Sequence, residues 1–230
     1  MNALIVVTNI STYQNQNIPT GLWLSELTHF YDACIKANIS ATIASPKGGK
    51  TPLDPESLKP LVLDKLTKGY YSDSAFMEVL NHTASLDSIN IDDFDAIYLT
   101  GGHGTMYDFV NNDVLNNVIA SFYEQGKIVA AVCHGVCGLM DVRLSNGEYL
   151  VKDKTITGYS WFEEILANRS KQVPFNLEKT LKAHGAHYKK GIIPLTSNVK
   201  QDGNLITGQN PFSSKAIAES VIDELKNRRK

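Results

Sequence analysis

Ile128-Val129-Ala130-Ala131-Val132-Cys133-His134-Gly135 is the stretch around which the chain organises itself. Its five leading residues are apolar and rich in β-branched side chains. They read as a strand buried on both faces, as in a parallel sheet. The run ends in a cysteine, and Gly135 two residues on permits a tight turn into a helix. A nucleophile on a sharp strand-to-helix turn has this arrangement. It sets the thiol at the carboxyl end of a central strand, where doubly wound sheets bind ligands. It also sets the sulfur beside a helix N-terminus, where the dipole and free N–H groups favour thiolate and can hold an oxyanion. A free cysteine is ordinarily a small buried hydrophobe; the strand–Cys–His–Gly order outweighs that reading here.

Outward from this elbow, strands and helices alternate. Ala3–Val7, Ile39–Ala44, Phe94–Thr100, Thr155–Thr157 and Leu205–Gly208 carry strand patterns. Apolar residues at helical spacing predict helices over Gly21–Asn38, Ser72–Asn81, Val114–Tyr123, Trp161–Ala167, Leu177–His184 and Ser213–Asn227, with a further helix starting over Gly135–Met140. This alternation implies a mainly parallel α/β sheet with helices on both faces. Residues 51–92 are polar, with Pro52, Pro55 and Pro60 early, and are too long for a plain loop. The expectation is one domain over residues 1–230 with a lid-like insertion around 51–92.

Composition narrows the function. A hydrophobic fraction of 43% and a charged fraction of 20% are ordinary for a globular protein. A net charge of -2 gives no field to attract nucleic acid or an anionic membrane. The basic end, Lys226 to Lys230, reads as a solvated helix terminus. Three cysteines, Cys34, Cys133 and Cys137, argue against a disulfide framework and for a reducing compartment. With no signal-peptide pattern and no apolar run of membrane-spanning length, the expected location is the cytoplasm. His184 and His187 lack a neighbouring carboxylate or cysteine, so no metal site is expected. No dinucleotide fingerprint surrounds the Gly101-Gly102-His103-Gly104 turn, and no cofactor is expected.

Val132-Cys133-His134-Gly135 resembles the active-site turn of the ThiJ/PfpI superfamily, relatives of the class I glutamine amidotransferases. Further segments match in order: Thr20 to Glu26, Ser45 to Gly49, Gly102 to Thr105, Thr157-Gly158-Tyr159 with Glu163-Glu164, and Asp202 to Pro211. The nearest resemblance is to the branch named for heat shock protein 31, whose members are glutathione-independent glyoxalases and stress chaperones. The resemblance implies a flavodoxin-like, doubly wound fold and a homodimer. It implies Cys133 as nucleophile, His134 as its acid/base neighbour and Glu164 as the acid orienting His134. Glu163 is the alternative one register step away; spacing from Gly158 favours Glu164. Glu26 would sit against Cys133, protonated, and shuttle a proton. Gly102 and His103 would line the oxyanion site and pocket, and Trp161 would wall it.

Side chains adjacent in sequence diverge, so His134 is not expected to hold the Cys133 proton by itself, and Glu26 supplies the missing partner. A carboxyl buried near a thiolate has a raised pKa, which suits a proton shuttle near neutral pH. The implied reaction converts a small dicarbonyl, methylglyoxal, to lactate, a lyase chemistry of the D-lactate dehydratase type. A holdase chaperone, a protein deglycase, a PfpI-type peptidase or a cysteine redox sensor would use the same scaffold. A glutamine amidotransferase would need a late His-x-Glu, which the chain lacks.

Overall fold

The protein was analysed as a computed structural model that describes residues 1–14 and 16–228. In chain order its elements are β1 (Asn2–Val6), α1 (Leu24–Lys36), β2 (Ser40–Ser45), α2 (Lys65–Ser72), α3 (Ser74–Asn81), β3 (Ala84–Ser85), β4 (Ala96–Leu99) and α4 (Thr105–Asp108). There follow α5 (Asp113–Glu124), β5 (Ile128–Val132), β6 (Thr155–Ile156), α6 (Trp161–Leu166), α7 (Leu177–Ala183), β7 (His187–Tyr188), β8 (Val199–Asp202), β9 (Leu205–Gly208) and α8 (Ser214–Asn227).

Seven strands form one sheet in the order β3-β2-β1-β4-β5-β9-β8. Every neighbouring pair is parallel except β8 and β9. The order runs outward in both directions from β1 and β4, and the crevice at such a reversal is where doubly wound sheets bind ligands. Alternation along β5 feeds two cores: Val129 and Ala131 pack on the α5 side, Ile128, Ala130 and Val132 on the side of α1 and α8. Cys133 continues the second set.

Several elements depart from expectation. The segment after β5 is not an α-helix but a 3-10 helix over Cys133–Leu139. It hugs the end of β4 so closely that a Cβ on Gly135 would overlap the Thr100 carbonyl oxygen. β8 is polar (Val-Lys-Gln-Asp) and pairs on one side only, so it lacks the apolar run of a buried strand. β6 pairs with β7 in a separate two-stranded ribbon rather than joining the main sheet.

Within 51–92, α2 packs on α1 through a Thr28–Thr67 hydroxyl pair at 3.0 Å, and α3 brings Phe76 against Tyr31 and Tyr70. Residues 51–54 run beside the approach to α1: Leu22 N–H donates to the Pro52 carbonyl, and Asp54 N–H to that of Leu22. Of the basic terminus, Lys226 lies in the last turn of α8 and Arg228 pairs with Glu224 at 2.9 Å; Arg229 and Lys230 lie outside the described residues.

Candidate active site

The carboxyl ends of β4 and β5 present the chemistry. Cys133 holds a left-handed backbone with φ of 56°, a conformation that costs a non-glycine residue of order 1–3 kcal/mol and clusters at functional sites. The turn has two effects. It sends the thiol back under the end of the sheet, where the residue is 2% exposed. It also swings the next side chain round, so that His134 Nδ1 lies 3.4 Å from Cys133 Sγ. The expectation that these neighbours diverge fails for that reason.

His134 Nε2 meets Glu164 Oε2 at 2.7 Å. The carboxylate only accepts, so a neutral imidazole here carries its proton on Nε2 and turns the Nδ1 lone pair to the thiol. The other oxygen, Oε1, lies 2.8 Å from His103 Nε2. Burial alone would raise the Glu164 pKa; His134 and His103 outweigh it and hold the carboxyl well below its usual range. At His103 burial wins, with help from His134, and its pKa is lowered despite Glu164. The two shifts together describe a neutral imidazole donating to a carboxylate rather than a full ion pair.

Why Glu164 and not Glu163 faces the histidines is local. Ser160 caps α6, and its hydroxyl and Glu163 form a reciprocal capping box. Glu163 also accepts from Leu195 N–H at 2.9 Å, Gln209 Nε2 at 2.8 Å and Asn210 Nδ2 at 2.7 Å. It ties α6 to the turn after β9, and the next residue, about 100° round the helix, points to the site. The Ser-x-x-Glu pattern was a sequence signal for this register.

Glu26 enters from the first turn of α1 and is 0% exposed. Its backbone carbonyl accepts from Tyr98 Oη at 3.0 Å, and its Oε2 accepts from Gly101 N–H at 2.6 Å. Oε1 has no hydrogen-bond partner among the described residues, and the Cys133 side chain is near enough to the carboxyl to bear on its ionisation. Its place at a helix start favours the anion, but burial dominates and pushes its pKa up to about 8. Burial, then the Glu26 charge, pushes the Cys133 thiol well up. The thiolate-favouring environment expected at a helix start is therefore not what Cys133 meets.

Gly102 has φ of +102°, and a Cβ there would overlap the Gly21 carbonyl oxygen. Its N–H has no acceptor among the described residues. Trp161 lines a groove outside α6 with Phe162, Ile165, Glu178 and Lys182; none of the other expected site residues lines it. Sequence reading missed Tyr159, whose ring centroid is 4.4 Å from that of His134, and Tyr13, 5.3 Å from that of His103. It also missed Asp54, 2% exposed and bound by Thr20 Oγ1 at 2.9 Å. Tyr159 lay in a matched segment; Tyr13 and Asp54 carried no local signal. His184, expected not to bind metal, donates from Nδ1 to the Met140 carbonyl at 2.7 Å, while His187 is exposed on β7. His103, His134 and Glu164 bring one ligand atom each within 4.8 Å of one another, with both His–Glu contacts of hydrogen-bond length.

A strand-borne cysteine on a left-handed turn, a neighbouring histidine and a buried carboxylate define a doubly wound α/β protein of the nucleophile-elbow kind. The chain belongs to the DJ-1/PfpI family, which it matches over residues 24–224. It is 31% identical over 224 residues to "Glutathione-independent glyoxalase HSP31" of Saccharomyces cerevisiae, covering 94% of this chain and 93% of that protein. Among solved structures it is similar to Rapid Encystment Protein 24 KDa of Francisella tularensis, with TM-score 0.93, 38% identity and coverage of 97% and 98%. Glyoxalase III of Candida albicans superposes with TM-score 0.87 at 27% identity, covering 97% of this chain and 96% of that one. No helix among the described residues is long and apolar enough to cross a membrane.

Proposed function

We propose that the protein is a glutathione-independent glyoxalase that converts methylglyoxal to lactate through a hemithioacetal on Cys133. The relatives named glyoxalase support the reaction class. The observation that carries the reading is the buried Glu26 carboxyl facing the Cys133 thiol, with a pKa near enough to neutrality to give and take a proton. Cys133 and His134 are each 2% exposed, Glu164 4% and His103 7%, so the reacting groups are shielded from water.

In the resting state Cys133 is a thiol and Glu26 a carboxylic acid. The thiol proton passes to His134 Nδ1 as sulfur adds to the aldehyde carbon. Glu26 protonates the aldehyde oxygen, giving the hemithioacetal, and is left as carboxylate. It then removes the hydrogen from that carbon while the imidazolium protonates the ketone oxygen, giving an enediol. Glu26 returns its proton to the former ketone carbon, and the hydroxyl on the thiolated carbon loses its proton to His134. One carbon is oxidised to a thioester and its neighbour reduced to an alcohol, so no external electrons are needed. Water cleaves the thioester: its oxygen completes the lactate carboxyl, one of its protons returns to sulfur as the Cys133 thiol, the other restores the Glu26 acid, and the imidazolium gives its proton to solvent as lactate leaves. Glu164 steadies the imidazolium, and the Gly102 N–H donates to the oxyanion.

Wild-type protein mixed with methylglyoxal and quenched in acid within a turnover should carry a lactoyl group on Cys133, read by mass spectrometry of that peptide. Its absence while substrate is consumed would oppose the thioester route.

The remaining sequence-level expectations, a homodimer and a cytoplasmic location, stand with this proposal; three free cysteines suit a reducing compartment. A second reading, holding of unfolded chains, is favoured by exposed apolar residues on α6 and the segments it is tied to: Phe162, Ile165, Leu166, Ile193 and Phe212, each at least half exposed. Suppression of client aggregation by a Cys133→Ala variant tests it independently of catalysis.

A further inference from the structure

Glu164 is shared. Its two oxygens receive two imidazoles at nearly equal distances, 2.7 Å from His134 and 2.8 Å from His103. The rings lie 4.0 Å apart between centroids and are tilted by 40°. A three-residue triad needs only the first of these contacts. The second is built with care. Gly102, in a backbone conformation that disfavours side chains, turns the chain after β4, and the Thr105 hydroxyl bonds the Gly102 carbonyl at 2.8 Å. His103 thereby faces Glu164 from the β4 side, while His134 approaches from β5.

We propose that His103 is a positioning residue, which clamps the free oxygen of Glu164 and so fixes the tautomer that His134 presents to Cys133. This rests on the glyoxalase reading for its kinetic consequence but not for its structural one. The physical reason is twofold. A carboxylate with one donor can rotate about its side-chain torsions, which are broad for terminal sp² groups; a carboxylate held at both oxygens cannot do so without breaking a second charge-assisted bond. Sharing the anionic charge between two donors also makes Glu164 a weaker base, so the proton stays on His134 Nε2. His134 Nδ1 then keeps its lone pair towards the sulfur. His103 thus acts through Glu164 and His134 rather than as the pocket lining that the sequence suggested.

The test compares His103→Leu, which removes the donor, with His103→Gln, whose amide nitrogen can reach the place of Nε2. Three quantities are read on each folded protein: the His134 tautomer from imidazole ¹⁵N shifts, the rate of Cys133 alkylation by iodoacetamide, and kcat and KM for methylglyoxal. In His103→Leu the His134 signal should become a tautomer mixture, and alkylation and kcat should each fall about tenfold to a hundredfold, the worth of one hydrogen bond to a charged group. KM should stay within about twofold, and His103→Gln should restore most of the loss. If His103→Leu does not fold, His103→Asn, whose shorter amide cannot reach Glu164 in the same way, takes its place. A wild-type tautomer and alkylation rate in the donor-less variant would overturn the proposal. A wild type that makes no lactate would instead sink the glyoxalase reading, leaving the tautomer and alkylation arms to decide the role of His103.

Discussion

The Glu26 carboxyl faces the Cys133 thiol, and after burial itself it is the largest cause of that thiol's reluctance to ionise. The pair therefore controls its own reactivity. With Glu26 pushed up to about 8, both groups are protonated at neutral pH, and the charge that opposes thiolate is absent until the carboxyl gives up its proton. Such a dyad titrates as a unit.

The first consequence is kinetic. The doubly protonated form, from which the reaction starts, is depleted as pH rises through about 8. kcat/KM for methylglyoxal should stay level near neutral pH and fall as pH rises through about 8. In Glu26→Gln the limb should vanish, and kcat should fall by about 10²–10⁴-fold, the usual worth of a positioned acid/base. A Glu26→Gln variant with wild-type kcat would remove the shuttle from the mechanism.

The second concerns stability, and here two carboxyls act with opposite signs. Glu26 is raised from an ordinary 4.5 to about 8 on folding. Its contribution is fully present below pH 4.5 and is lost as pH rises to about 8. Glu164 is held below 4.5, so its contribution is present above that value and lost as pH falls further beneath it. Melting temperature should decline from pH 5 to 8 in the wild type and less so in Glu26→Gln. Glu164→Gln should instead reduce the loss of stability below pH 4.5.

The third isolates Glu163. Removing it leaves the buried Gln209 Nε2 without its acceptor and takes one of two acceptors from the buried Asn210 Nδ2. Glu163→Ala should cost about 1–3 kcal/mol, the cost of one stranded buried polar group, seen as a lower urea midpoint. It should lower kcat as well, because α6 carries Glu164. Unchanged stability would mean that this hub is not what anchors α6.

The elbow was readable from residues because its signals are local. A continuous apolar run, a cysteine and a glycine two places on fix a buried strand and a tight turn, whatever packs around them. Glu163 and Glu164 were ambiguous on spacing, although Ser160 three residues before Glu163 marks a capping box and frees Glu164 for the site. Other features depended on contacts between distant segments. His103 reaches Glu164 across 61 positions, and nothing near it in the chain encodes that meeting. β8 was hidden because an edge strand needs no apolar alternation. The ionisation of Cys133 was misjudged because the turn suggested a favourable helix start, whereas burial and Glu26 decide the outcome.

The most direct test incubates purified, reduced protein with methylglyoxal and no glutathione, and measures D-lactate beside Cys133→Ala. Lactate from the wild type and none from the variant is the expected result. A folded, reduced wild type that forms no lactate would contradict the glyoxalase reading.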